Sequence, residues 1–136
     1  MFSALDISTS ALVAQRTRLN TISANVANIG SVQDEQGRAK PYQPKFVVFE
    51  ADEAVTTGDG AVGVKVGEVR TDDAEPLMKY EPTHPLADAD GYVAYPNVNL
   101  TAQFVDALEA SRAYEANIGV LEMSKGIGSQ TLRILG

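Results

Sequence analysis

Two heptad stripes, one at each end of the chain, limit what it can fold into more than any other feature. Near the N-terminus Leu5, Leu12, Leu19 and Val26 recur every seven residues, and Ile22 and Ile29 take the companion position three further on. An a/d repeat of this kind belongs on one face of a helix. The companion position is polar at Ser8 and Gln15, so the stripe narrows toward its start. Ser3 followed by Asp6 predicts a capping box, and Gly30 is placed to end the helix as a C′ glycine, giving a helix over about 3–29.

The other end repeats the design. Leu100, Ala107, Tyr114, Leu121 and Leu135 share one heptad position, with Gly128 interrupting the run. Phe104, Ile118 and Leu132 share the other, with Ser111 and Lys125 as its polar members. This predicts a helix over about 98–135, capped by Asn97 or Asn99. Gly126 and Gly128 should weaken its last turns, at about 1 kcal/mol each relative to alanine.

The region between has a different period and composition. Residues 31–97 hold all six prolines and six of the eleven glycines. Lys45–Glu50 is a short β-type run, and Val62, Val64 and Val66 alternate as a half-buried strand does. Leu77–Tyr80 and Tyr92–Tyr95 are further short strand candidates. The expected fold is mainly α with a small β insertion, its terminal amphipathic helices packing as a coiled-coil-like bundle. Its segments are an N-terminal helix in 1–30, a β-rich and loop insertion in 31–97, and a C-terminal helix in 98–136. Whether the two stripes pair within one chain or between chains stays open at this level.

Charge follows the same division. The net charge is −7, and it resides in residues 31–97, whereas 1–30 sum to +1 and 98–136 to −1. A nucleic-acid partner wants a basic face, so none is expected. An acidic middle suits a solvated surface that must not adhere to its neighbours. The chain has no cysteine, which excludes disulfides and thiolate metal sites. Its first twenty residues lack a basic start followed by an unbroken apolar run, so no cleavable signal peptide is expected.

Motifs that could carry chemistry read better as turns. Gly58, Gly60 and Gly63 match a dinucleotide-binding string, but a strand-like alternation follows where a helix N-terminus is needed. Asp88, Asp90 and Gly91 do not fit the register of a calcium loop and instead mark a turn. His84 is the only histidine and lacks the companions that a metal site or proton relay requires. Asn99-Leu-Thr101 matches a glycosylation sequon, though helix capping accounts for it. Asp72 and Asp73 sit in polar sequence, where solvation is expected. No catalytic residue, metal site, cofactor or small-molecule substrate is therefore expected.

Two stretches resemble the flagellar rod, hook and related axial protein family. Residues 6–28, DISTSALVAQRTRLNTISANVAN, are similar to that family's N-terminal signature, with its small-residue start, Gln-Arg pair and closing Asn-x-x-Asn. Residues 95–99 and 109–117, YPNVN and EASRAYEAN, are similar to its C-terminal signature. The segment from His84 to Asn99, together with Pro41-Tyr42 and Lys45–Phe49, extends the resemblance over nearly the whole chain. The chain departs from the pattern at Ile29-Gly30-Ser31 and at Gly126 and Gly128.

The resemblance implies a structural subunit, stacked helically into a hollow rod in the periplasm and exported by the flagellar type III apparatus without a cleaved signal. Its implied partners are other rod subunits and copies of itself. The stripe residues Leu5, Leu12, Leu19, Ile22, Val26, Ile29, Leu100, Phe104, Ala107, Tyr114, Ile118, Leu121, Leu132 and Leu135 would form the assembly interface. The rival readings are a coiled-coil adaptor or secretion-related binding protein, and a small hydrolase depending on His84.

Overall fold

In the computed structural model, which describes residues 3–136, the chain is two long helices with two β-hairpins between them. Helix α1 spans Ala4–Ala27, strands β1 and β2 span Lys45–Thr56 and Val62–Thr71, β3 and β4 span Leu77–Tyr80 and Tyr92–Tyr95, and helix α2 spans Leu100–Leu135.

Helix α1 opens at the expected capping box. The Asp6 carboxylate accepts from the Ser3 backbone N–H at 2.8 Å and from its hydroxyl at 3.0 Å. These bonds hold the Asp6 carboxyl below its ordinary pKa, the backbone bond contributing most. The far end differs from expectation, because Asn28 is the C-cap and Gly30 does not enter the left-handed region. The Asn28 N–H bonds the Ala24 carbonyl at 3.1 Å, its side chain adds a second donor to that oxygen at 2.9 Å, and the Ile29 N–H turns back to the Val26 carbonyl at 3.3 Å, so the last turn closes without a left-handed glycine. Helix α2 starts at Asn99, whose side chain accepts from the Ala102 N–H at 3.1 Å. It then runs 36 residues, ~54 Å at the usual rise, and passes through Gly126 and Gly128 without a break.

The helices pack against each other and run antiparallel. Asn25, near the end of α1, bonds to Gln103 near the start of α2, and Arg18 reaches Asp106 and Glu109, about one and two turns further along α2. Continuing that register sets Ala4 beside the 120–123 turn, so the last turns of α2 extend past α1. From Lys125 onward every residue is exposed, consistent with this. The large stripe residues Leu12, Leu19, Val26, Tyr114, Ile118 and Leu121 are half-buried. Ser8, Ala14, Ile22 and Asn25 on α1 and Ala110 on α2 are the most buried residues of the two helices, and all but Ile22 are small or polar.

The first hairpin lies along α1 and makes a third layer. Strand β1 is longer than the predicted run, continuing to Thr56 through irregularities after Val48 and Asp52. Val48 pairs with Glu68 and Phe49 with Val66, leaving Gly67 as the extra residue of a bulge beneath the Glu50 side chain. Residues 57–61 form the turn, with Gly60 at φ +89°, so the glycine string of the sequence is a hairpin turn followed by a strand. Its last member, Gly63, is buried, and a Cβ there would meet the Ser10 hydroxyl oxygen at 2.8 Å. That close approach lets Ser10 accept the Val64 N–H at 3.0 Å, fastening the hairpin to the helix.

The second hairpin pairs Leu77 with Tyr95 through to Tyr80 with Tyr92, at the strand limits read from the sequence. Val93 turns inward and is 1% exposed, while Tyr80 and Tyr92 meet edge to face with ring centroids 5.3 Å apart on the other side. No helix of the described residues is long and apolar enough to cross a membrane.

Candidate assembly interface

The fourteen stripe residues separate by face. Ile22 is buried, and Leu12, Leu19, Val26, Ala107, Tyr114, Ile118 and Leu121 are half-buried within the chain. Leu5, Ile29, Leu100, Phe104, Leu132 and Leu135 are exposed, rising to 80% at Leu135. Pairing within the chain therefore covers the middle of each stripe and leaves its ends bare.

A second apolar stripe on α2 escaped the sequence analysis. Val120, Met123, Ile127 and Ile134 follow the spacing i, i+3, i+7, i+14, and all four are exposed. Val105 and Leu108 extend exposed apolar surface toward the start of the helix. Gln103, which bonds Asn25 of α1, and the buried Ala110 lie on a different face, while Asp106 and Glu109, the partners of Arg18, occupy the same heptad positions earlier in the helix. The signal was present in the sequence, but following one heptad stripe per helix hid it. A helix with apolar residues on two faces can bury both only by packing between neighbours. Recurrence of exposed apolar residues on one face marks a surface suited to a partner more than singly scattered side chains would.

Polar groups set the register of the intrachain pair. Arg18 stands 3.2 Å from Glu109 and 3.7 Å from Asp106. Such partly exposed pairs contribute little energy, but they disfavour a slip of one helix along the other. The fully buried Asn25 makes four hydrogen bonds, linking α1 to Gln103, Tyr42 and the first residue of β1.

The residues weighed for chemistry serve local structure. His84 Nδ1 accepts the Leu86 N–H at 3.0 Å within a turn. Asp88 accepts from the N–H groups of Asp90 and Tyr92 at 3.0 and 2.9 Å, closing the loop in which Gly91 has φ +84°. Asp72 accepts from the Ala74 N–H at 3.0 Å. Shifted pKa values are scattered over caps and turns and are not gathered in one cleft. The Arg38 backbone N–H lowers Asp34, the Thr57 hydroxyl lowers Asp59, burial raises Tyr42, and a hydrogen bond to Glu81 raises Tyr95.

Comparison with known proteins fits this arrangement. Residues 5–30 match a family model described as flagella basal body rod protein, and residues 89–134 match one described as flagellar basal body rod FlgEFG protein C-terminal. These matches cover all but the first residue of α1 and all but the last residue of α2. Over 129 residues the chain is 45% identical to flagellar basal-body rod protein FlgC of Salmonella typhimurium, spanning 95% of this chain and 93% of that protein. FlgC of Escherichia coli O157:H7 is 43% identical over the same shares. FlgC of Bacillus subtilis is 34% identical over an aligned length of 145, gaps included, which spans 98% of this chain and 97% of that protein. At such identity over nearly the full length, the chain belongs to the FlgC family of flagellar basal-body rod proteins.

Proposed function

We propose that this chain, a structural subunit of the flagellar basal-body rod and not an enzyme, builds the proximal rod by burying the bare faces of its terminal helices against neighbouring subunits. Copies of itself and other rod subunits are the partners. The observation that carries this reading is the second, uncovered stripe on α2, with Met123 67% and Ile127 65% exposed. A folded chain keeps so much apolar surface in water only where a partner later covers it.

The exposed stripe ends Leu5, Ile29, Leu100, Phe104, Leu132 and Leu135 would join that contact, and the half-buried middle of each stripe would keep the pair in register. The repeated contact is heterologous and open, which generates a helical assembly and not a closed ring. In such an assembly the helices form the wall of a channel and transmit torque, with the acidic insertion facing solvent. Delivery to the periplasm would run through the flagellar type III export apparatus without a cleaved signal. The test is to delete the coding sequence and image basal bodies. Loss of rod and filament, restored by the intact gene, is expected, and normal rods in the deletion strain would contradict the proposal.

A further inference from the structure

The most densely bonded side chain in the protein is not on either apolar stripe. Asn25 is 1% exposed, and its amide is fully used. Its nitrogen donates to the Lys45 carbonyl at 2.7 Å and to the Gln103 side-chain oxygen at 3.1 Å. Its oxygen accepts from the Lys45 N–H at 2.9 Å and from the Tyr42 hydroxyl at 3.0 Å. An asparagine amide has two donors and an oxygen with two lone pairs, so all four positions are filled. Both peptide groups of Lys45 are engaged by this one amide, which pairs with the start of β1 as a residue of a neighbouring strand would.

Three parts of the chain meet at this amide. One is the helix pair, through Asn25 and Gln103. The second is the first hairpin, through Lys45. The third is the connecting strap 28–44, through Tyr42, whose burial also raises its pKa. The strap in turn borders the second hairpin: Lys40, Pro41, Tyr42 and Pro44 line one cleft with Pro76, Pro96 and Asn97 at its base, and Val32 and Gln33 line another with His84 and Leu86 of its loop. Pro41 and Pro44 in the strap and Pro76 and Pro96 at the base of the second hairpin fix their own backbone φ, which limits how these segments can turn.

We infer that the Asn25 amide is the joint that fixes the strap and the second hairpin at one angle to the helix pair. Aspartate keeps the acceptor but loses both donors. Alanine leaves the two peptide groups of Lys45, the Tyr42 hydroxyl and the Gln103 amide without this partner. Asn25 is thus a positioning residue. Its consequence for the rod rests on the assembly reading above, but the geometry can be measured on the isolated full-length chain, so the two ideas fail separately.

The chain has no cysteine, so two introduced ones can carry spin labels at defined sites. Asp90→Cys in the second hairpin loop and Glu115→Cys on α2 are both at exposed positions. With Asn25 present, the interlabel distance distribution should be a single narrow peak. Asn25→Ala should broaden it at least twofold while helical circular dichroism and amide protection in β1 and β2 persist. An unchanged width in that folded variant would overturn the inference. If Asn25→Ala does not fold, Tyr42→Phe and Gln103→Leu decide, because each removes one arm of the joint. Broadening in either supports the joint, and no broadening in both contradicts it. Asn25→Asp adds a pH signature. It should be broad at neutral pH and narrow again in mild acid, where the protonated carboxyl can both donate to and accept from Lys45. A width that ignores pH would mean that side-chain size alone matters, and the hydrogen-bonded joint would be wrong.

Discussion

Gly63 shows how much one missing side chain can decide. A Cβ there would lie 2.8 Å from the Ser10 hydroxyl and 3.0 Å from the Val55 Cβ, between a helix and a strand that cannot both yield. Gly63→Val should destabilise the folded chain by about 1–3 kcal/mol through overpacking, read as a lowered urea midpoint. An unchanged midpoint would show that the first hairpin is not held tightly on α1. Ser10→Ala tests the same contact from the other side, since it strands the Val64 N–H, and about 1 kcal/mol is the expected loss. Asp6 belongs to this scale too. Its folded pKa is depressed by its bonds to Ser3, so its contribution is present above the ordinary carboxylate pKa and is lost as the pH falls through the folded value. Protection of the first turn of α1 should therefore decline in acid below about pH 4, and Asp6→Asn should remove that dependence. A first turn equally acid-sensitive in the variant would assign the effect to another group.

At the scale of elements, the last turns of α2 have no neighbour within the chain and contain two glycines whose added Cβ would meet nothing within 4 Å. Replacing Gly126 and Gly128 by alanine should raise the helical signal of the isolated chain, each change favouring the helix by about 1 kcal/mol. No gain would mean that another contact already orders this segment. The way the elements arise also explains which of them could be read from residues alone. Helix α1 begins where Ser3 and Asp6 announce it, and β3 and β4 fall at Leu77–Tyr80 and Tyr92–Tyr95 because turn residues bound them on both sides. Strand β1 outran its apolar run because Glu50 and Glu53 are exposed, where charge does not interrupt pairing, and the half-buried Asp52 accepts the Ala54 N–H at 3.2 Å where the strand becomes irregular. The end of α1 falls before Gly30 because the N–H groups of Asn28 and Ile29 already close the last turn on the Ala24 and Val26 carbonyls. Contacts between distant residues, Gly63 with Ser10 or Asn25 with Lys45, leave no trace in local periodicity.

For the whole molecule, the small buried core and the long bare faces belong together. Five apolar residues are buried among those described, Ala14, Ile22, Val93, Val98 and Ala110, and two of them are alanines. A chain with so little interior gains much of its order from what it packs against. Leu19 and Leu121 are half-buried in the helix pair, so a charge at either would disturb the free chain and the assembly together. Phe104 and Leu132 separate those effects, since they are 58% and 72% exposed and a charge there should leave the isolated fold intact. The most direct measurement is therefore cryo-electron tomography of basal bodies in cells whose only copy carries Phe104→Asp and Leu132→Asp, with circular dichroism of the purified chain as the control for folding. The account predicts a folded, exported subunit and no rod. Rods of normal length and number, built from that variant, would show that the bare faces of the terminal helices are not the assembly interface.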